Sequence, residues 1–317
     1  MEGLMRRLRA AAEPSRLRLL AMCARGEFTV SELVLILSQS QPRVSRHLKI
    51  LCDAGLLERL SEGNWAFYRQ ASNGDGRATA NRLLSLLPDD DQVIARDLER
   101  LAEVKAGRNL KADSYFQTVA DEWDRIRALN IGDKEVEQAV KEVLCQAPLR
   151  RLIDIGTGTG RMLEIMAPHV EEATGIDRSH QMLTIARAKL DHSGLGNCGV
   201  RYADMYGLPF AAAAFDAAVI HQVLHFADDP GAVLAEAARV LVPGGRVVVV
   251  DFARHDLEEL RDEFQHRRLG FDDAGMSGWF AAAGLGEEPP IRLAGAALTV
   301  VVWSAVKGTG KGNRRNG

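Results

Sequence analysis

Seven consecutive residues, Asp154-Ile155-Gly156-Thr157-Gly158-Thr159-Gly160, set three alternating glycines between a short apolar run, Leu152-Ile153, and the start of a helical pattern. Strand, glycine turn and helix in that order build a ligand site, because glycines let the main chain approach a ligand closely and the helix N-terminus presents N–H groups without intrahelical acceptors. The spacing narrows the ligand. In a dinucleotide turn, G-x-G-x-x-G, the third glycine would fall on Arg161, a bulky residue where helix and strand must pack closely, so a pyrophosphate cradle is disfavoured. A second acid, Asp177, ends the run Ala173-Thr174-Gly175-Ile176, and a carboxylate about 20 residues beyond such a turn is placed to accept hydrogen bonds from ribose hydroxyls. Asp204 and His221 end two further runs of strand character, and His225 follows closely.

For these residues to meet, the runs that carry them must be strands of one sheet. Ala173 to Asp177, Val200 to Asp204, Phe215 to His221 and Arg246 to Asp251 read as successive strands, the last with four consecutive valines, and Pro243-Gly244-Gly245 reads as the turn before it. In a doubly wound α/β sheet, ligands sit outside the carboxyl ends of the strands, which gathers Asp154, Gly156, Gly158, Asp177, Asp204, Met205 and His221 at one crevice. A single Asp can be a turn residue or a cap. Acids recurring at strand end after strand end point to a site instead.

The string D-x-G-x-G-x-G at Asp154 to Gly160 resembles motif I of the class I S-adenosylmethionine-dependent methyltransferases, and the resemblance spans roughly residues 113–306. It implies a Rossmann-like sheet and S-adenosylmethionine as cofactor, bound by Asp154, Gly156, Thr157, Gly158, Gly160, Asp177, Arg178, Asp204, Met205 and His221, with Asp204 against the adenine amino group and Met205 against its ring. Methyl transfer from a sulfonium is an in-line displacement, so it asks for positioning, a dry pocket and a base for the acceptor's proton, and no metal. Val223-Leu224-His225 followed by Asp228 resembles the site of O-methyltransferases in which that histidine takes the proton. His225 is therefore the first candidate base and His221 the second; the competing reading is that they only pack near the cofactor. His255 and His266 are weaker candidates. No Asn- or Asp-Pro-Pro-Tyr motif and no Pro-Cys pair is present, and Cys145 and Cys198 do not match a thiol cluster for arsenite, which excludes several methyl acceptors.

The front of the chain reads differently. Pro14 to Ala24 suits a short helix, Ser31 caps a second over Glu32 to Leu37, and a third runs from about Pro42 to Ala54 with Val44, Leu48 and Leu51 inward. Gln41, Arg43, Arg46, His47 and Lys49 are left for solvent, and Leu56 to Leu60 and Trp65 to Arg69 form a hairpin around Ser61-Glu62-Gly63-Asn64. Helix, tight turn, helix and hairpin is the layout of a winged helix-turn-helix. The segment from Ser38 to Leu57 resembles the recognition-helix region of the ArsR family of bacterial repressors. That implies a homodimer on a palindromic double-stranded operator, with Gln41, Arg43, Ser45, Arg46 and His47 near the major groove; Lys49 and Arg59 are suited to phosphates. The paired cysteines of metal-sensing members are missing from Ser31 to Leu37, and the wing tip Glu62-Gly63-Asn64 lacks the arginine that often sits there.

Charge follows the same division. The chain of 317 residues has a net charge of −3, yet residues 1–78 hold 12 Lys+Arg against 8 Asp+Glu. A basic front permits phosphate contact, although charges on a solvated face are the plain alternative. No apolar run is long enough to span a bilayer and no leader pattern opens the chain, so a cytoplasmic protein is expected. Four scattered cysteines suggest neither a disulfide frame nor a zinc cluster.

The domains expected are a winged helix-turn-helix over 1–78, linker and dimerisation helices over 79–112, the methyltransferase domain over 113–306 and a disordered tail over 307–317. Within the joint, Ile94, Leu98 and Leu101 form an apolar seam flanked by Val93 and Val104, which needs either the same helix of a second chain or the methyltransferase domain as its partner. Tyr115, Phe116 and Trp123, just before motif I, either wall the cofactor site or form a core stripe. The leading reading is a DNA-binding regulator whose methyltransferase domain methylates a small molecule, senses S-adenosylmethionine or S-adenosylhomocysteine, or does both. The alternative is a small-molecule O-methyltransferase whose winged helix serves only for dimerisation.

Overall fold

The computed structural model describes residues 1–62, 65–71, 74–88, 90–107, 133–258, 267–295 and 298–309. The sites expected at Tyr115, Phe116, Trp123, His266, the wing tip at Gly63-Asn64 and the tail from 310 onward lie outside these residues. The chain divides into two compact units, Met1–Ala112 and Asp113–Gly317.

In the first unit α1 (Glu2–Ala11), α2 (Pro14–Cys23), α3 (Val30–Leu37), α4 (Gln41–Asp53) and α5 (Gly74–Leu84) surround a three-stranded sheet, with α6 over residues 92–107. The strands are β1 (Phe28–Thr29), β2 (Leu57–Glu62) and β3 (Trp65–Gln70), in the order β1-β3-β2. Glu13 starts α2, its carboxylate accepting from Arg16 N–H at 2.9 Å, and Pro14 occupies the first turn, where no donor is missed. The start expected at Ser31 is displaced: Thr29 is the N-cap of α3, because Thr29 and Glu32 satisfy each other's backbone N–H groups in a capping box. Ser38 then takes a left-handed φ of 53° and turns the chain into α4. Val44, Leu48 and Leu51 are fully buried with Leu19, Leu20, Phe28, Leu33 and Ile36. Burying each of these side chains contributes about 1.5–3 kcal/mol before the entropy of ordering is set against it.

The apolar seam on α6 finds a partner that neither expectation provided. Leu101 is buried and Ile94, Leu98 and Val104 are half-buried against the winged helix's own core, while Val93 faces solvent. A buried ion pair fixes the register: Arg18 on α2 grips Asp97 on α6 through Nε at 2.6 Å and a second nitrogen at 2.7 Å, and Asp97 is 0% exposed. At α5, Gly76 passes so close to the carbonyl of Gly55 that a Cβ would lie 1.9 Å from its oxygen. Residues 74–107 are thus part of the first unit's fold.

The second unit is a seven-stranded sheet in the order β6-β5-β4-β7-β8-β10-β9. Its strands are β4 (Arg151–Ile155), β5 (Glu172–Asp177), β6 (Cys198–Tyr202), β7 (Phe215–His221), β8 (Leu241–Phe252), β9 (Leu285–Ala294) and β10 (Thr299–Lys307). β6, β5, β4, β7 and β8 pair in parallel, and β10 is antiparallel to both β8 and β9. Both faces are covered, and alternation decides which side chain goes where. Ile153, Ile155, Val247 and Val249 pack under α10 (Pro230–Val240) and α11 (Asp273–Ala282). Leu152, Val248 and Val250 pack under α7 (Asp133–Leu144), α8 (Arg161–Met166) and α9 (His180–His192). Hence the run of valines: each neighbour serves the opposite core.

Two details depart from the sequence reading. Pro243-Gly244-Gly245 is no separate turn; β8 runs through it as a bulge, the register passing from Phe215↔Leu241 to Ala217↔Arg246 while Gly244 adopts φ 80°. The two C-terminal antiparallel strands extend the sheet beyond the strands expected, and Pro289 and Pro290 lie on the outermost, β9. Among the described residues no helix is long and apolar enough to cross a membrane.

Candidate functional site

The sheet changes direction at β4: the chain lays β5 and β6 on one side and returns to place β7 on the other. At such a reversal the connections leave in opposite directions and open a crevice outside the carboxyl ends. The glycine turn sits there. Gly156, Gly158 and Gly160 all have left-handed φ values, 75°, 51° and 82°. Main-chain N–H groups of Gly156 and Thr157 both donate to the Ile176 carbonyl, at 2.9 and 2.8 Å, fastening the turn to β5.

Each glycine is required for a different reason. A Cβ on Gly156 would come within 2.5 Å of Val223, so the bare Cα lets the loop after β7 close on the turn. A Cβ on Gly160 would meet Ala186 at 3.2 Å, so this glycine lets α8 approach α9. At Gly158, among the described residues and apart from its chain neighbours, nothing lies within 4 Å of the Cβ position. Arg161, where a dinucleotide turn would need its last glycine, points to α7 and grips Glu137 at 2.6 and 2.9 Å.

Asp154 lies beneath the turn, 1% exposed. The Thr157 hydroxyl donates to its Oδ2 at 2.6 Å, and Oδ1 is buried with no hydrogen-bond partner. Burial pushes the Asp154 carboxyl up to about 7; the Thr157 hydroxyl opposes the rise and the negative charge of Asp177 adds to it. Asp177 is drawn into the turn, its two oxygens accepting from Gly158 N–H at 2.9 Å and Ser179 N–H at 2.8 Å. Each oxygen retains acceptor capacity for a ligand hydroxyl. Arg178 stands 3.7 Å from Asp204, whose carboxylate also accepts from Tyr206 N–H at 3.1 Å. Met205 is half-buried against the core, and His221 is half-buried at the end of β7. The turn, Asp154 and Asp177 are thus joined by hydrogen bonds, and Arg178 with Asp204 forms a neighbouring pair at the next strand end.

His225 is placed otherwise than an open base would be. It lies in a short 3-10 turn, Leu224–Phe226, 3% exposed, with Nδ1 2.8 Å from Asp251 and its main-chain N–H on the same carboxylate at 3.1 Å. The Phe226 ring packs at 4.2 Å and Phe252 at 5.8 Å. A carboxylate only accepts, so it holds the proton on Nδ1 and leaves Nε2 as the basic nitrogen. Asp251 escaped the sequence reading as a site residue, although it is one more acid at a strand end, the same signal that picked out Asp177. His255, near this pair, has its Nδ1 accepting from Leu257 N–H at 3.2 Å, and burial lowers its pKa most, ahead of the opposing pull of Asp251.

On the first unit, Gln41, Arg43, Ser45, Arg46 and Lys49 are exposed on α4, as is Arg59 on β2. His47 is not left to solvent as expected. Its ring is half-buried, with Nδ1 turned to Glu13 at 3.9 Å, because position 47 lies on the edge of α4 that faces α2.

Comparison with known proteins finds a family match within each unit. Residues 13–59 match the family described as bacterial regulatory protein, arsR family, and residues 153–249 match the methyltransferase domain family. The chain is similar to a ubiquinone/menaquinone biosynthesis C-methyltransferase of Geotalea daltonii, 34% identical over 149 residues, covering 45% of this chain and 63% of that protein. It is similar to a demethylmenaquinone methyltransferase of Thermus thermophilus, 41% identical over 146 residues, covering 43% and 64%. The chain therefore spans less than two thirds of the length of these curated relatives. A crystal structure of a candidate methyltransferase from Bacillus halodurans C-125 shares the fold, with a TM-score of 0.50 at 16% identity over 55% of this chain and 99% of that one.

Proposed function

We propose, on the match of residues 13–59 to the arsR-family model and of residues 153–249 to the methyltransferase-domain model, that the chain is a DNA-binding transcriptional regulator whose second unit binds S-adenosylmethionine. That unit methylates a small molecule, senses the cofactor or S-adenosylhomocysteine, or does both. The observation that carries the cofactor is the buried Asp154 carboxyl beneath the glycine turn, whose Oδ1 has no hydrogen-bond partner among the described residues. A carboxylate there repels a pyrophosphate and attracts an amino-acid ammonium. When bound, S-adenosylmethionine supplies an electrophilic methyl group on a sulfonium.

The chain's own residues then divide the work. The main chain from Gly156 to Gly160, with Thr157 bracing Asp154, seats the amino-acid end. Asp177 takes the ribose hydroxyls, Asp204 and Met205 the adenine, with Arg178 balancing the charge of Asp204, and His221 lies at the mouth of the crevice. His225 is the base for the acceptor's proton, its Nδ1 held by Asp251 so that Nε2 is the basic nitrogen. A general base in this role contributes about 10²–10⁴-fold.

Calorimetric titration with S-adenosylhomocysteine, followed by transfer of labelled methyl to the low-molecular-weight fraction of a bacterial extract, tests the enzyme. A protein that binds neither S-adenosylmethionine nor its product sinks the reading. For the first unit, Met1 at the N-cap of α1 and Leu4, Met5 and Leu8 on it are exposed at helical spacing, which supports a homodimer. The same stripe favours the second reading, a small-molecule O-methyltransferase whose winged helix only dimerises. Selection from a random duplex library separates them: an enriched palindrome supports the regulator, and a dimer that enriches no sequence supports the second reading.

A further inference from the structure

The start of α2 holds a side-chain cluster that neither DNA reading nor methyl transfer uses. Glu13 caps α2 through Oε2 and Arg16 N–H, and the same carboxylate faces two residues of the recognition helix. Arg43 comes within 3.6 Å of Oε1 and His47 within 3.9 Å of Oε2. Beside it, the buried Ser15 hydroxyl accepts from Arg43 at 3.2 Å and from Gln39 at 2.9 Å. Positions 43 and 47 are one helical turn apart and so share an edge of α4, while Arg46 and Lys49 stand exposed on another. An acid therefore sits among the groups that would meet a polyanion.

We propose that Glu13 is a specificity-determining residue for duplex DNA, an internal counter-charge that keeps Arg43 on the protein until a matching site offers it a better partner. This rests on the DNA reading above. A phosphate approaching Arg43 has to displace Glu13 and Ser15 and is repelled by the carboxylate meanwhile. Random duplex returns little for that exchange, whereas a base edge suited to Arg43 returns a bidentate pair. Glu13 thus weakens non-specific binding more than specific binding and widens the ratio between them.

The test is Glu13→Gln in the full-length protein. Glutamine keeps an oxygen for Arg16 N–H, so the cap survives and only the charge leaves. Affinity is measured against a random-sequence duplex and against the duplex that the wild type enriches from a library, across a range of salt. The expected result is a several-fold gain for the random duplex, a smaller gain for the enriched one, and a salt slope steeper by about 1, the mark of one more phosphate contact. In an Arg43→Ala background the gain should vanish, since Glu13 acts through Arg43. Should Glu13→Gln impair folding, Glu13→Asp keeps a strong cap while drawing the carboxylate back, and a partial gain is expected. Unchanged random-duplex affinity and salt slope overturn the inference while DNA reading stands; a wild type that binds no duplex overturns both.

Discussion

Gly158→Ala and Gly160→Ala, made separately, distinguish a glycine that faces a ligand from one that lets two helices meet. Both residues have left-handed backbones, φ 51° and 82°, where a Cβ costs about 1–2 kcal/mol. At Gly160 the new methyl also meets Ala186 at 3.2 Å, and overpacking of this kind adds about 1–3 kcal/mol. A unit of this size loses about 2–4 °C of Tm per kcal/mol, so Gly158→Ala should lower the melting temperature by about 2–8 °C and Gly160→Ala by more. Binding should run the other way. The methyl at Gly158 enters space left open by the described residues, the space proposed for the cofactor. We expect about 100-fold weaker S-adenosylhomocysteine binding, about 3 kcal/mol, with the Gly160 variant within a few-fold of wild type once folded. Calorimetry gives the affinity and ligand-induced shift of Tm gives a second reading of it. Wild-type affinity in Gly158→Ala would show that the cofactor does not sit over this glycine.

Further outcomes follow from the buried charges. A carboxyl raised to about 7 in the folded state binds its proton more tightly than in the unfolded chain, so Asp154 stabilises the ligand-free protein most below about pH 4 and that contribution declines as pH rises to about 7. Asp154→Asn should flatten that decline in urea melts, and unchanged curves would contradict it. Binding an ammonium beside Asp154 favours the ionised form, so at pH 7 S-adenosylmethionine should release a fraction of a proton; calorimetry in buffers of different ionisation heat measures it, and equal apparent enthalpies would count against the placement. Asp97→Ala strands Arg18 and should cost about 3–5 kcal/mol, while Arg18→Met with Asp97→Leu recovers much of that loss. Asp251→Asn should move the His225 proton from Nδ1 to Nε2, visible in nitrogen-15 spectra of the ring, and lower kcat with little change in cofactor affinity.

What the sequence made legible was local. The glycine turn, the acids at strand ends and the inward stripe Val44, Leu48 and Leu51 are each encoded within a few residues, and each lies where its pattern puts it. Partnerships set by chain reversal were not legible. Asp251 meets His225 because β7 and β8 are neighbours, and Glu13 meets Arg43 because α2 and α4 pack; neither separation has a sequence signature. The seam on α6 was visible as apolar spacing, but periodicity states only that a partner exists. Thr29 outcompeted Ser31 as a cap because Glu32 sits at the capping-box spacing from Thr29.

The two margins of the large sheet bear on the protein's behaviour at high concentration. An exposed strand margin with free main-chain donors and acceptors is a template on which another copy can add. Here one margin is β6, Cys198–Tyr202, and the other is β9, where Pro289 and Pro290 remove two donors next to the charged Glu287 and Glu288. Strand-by-strand growth into fibres is thereby discouraged at that margin, and replacing both prolines by threonine should make the protein more prone to aggregate without touching the crevice at the carboxyl ends.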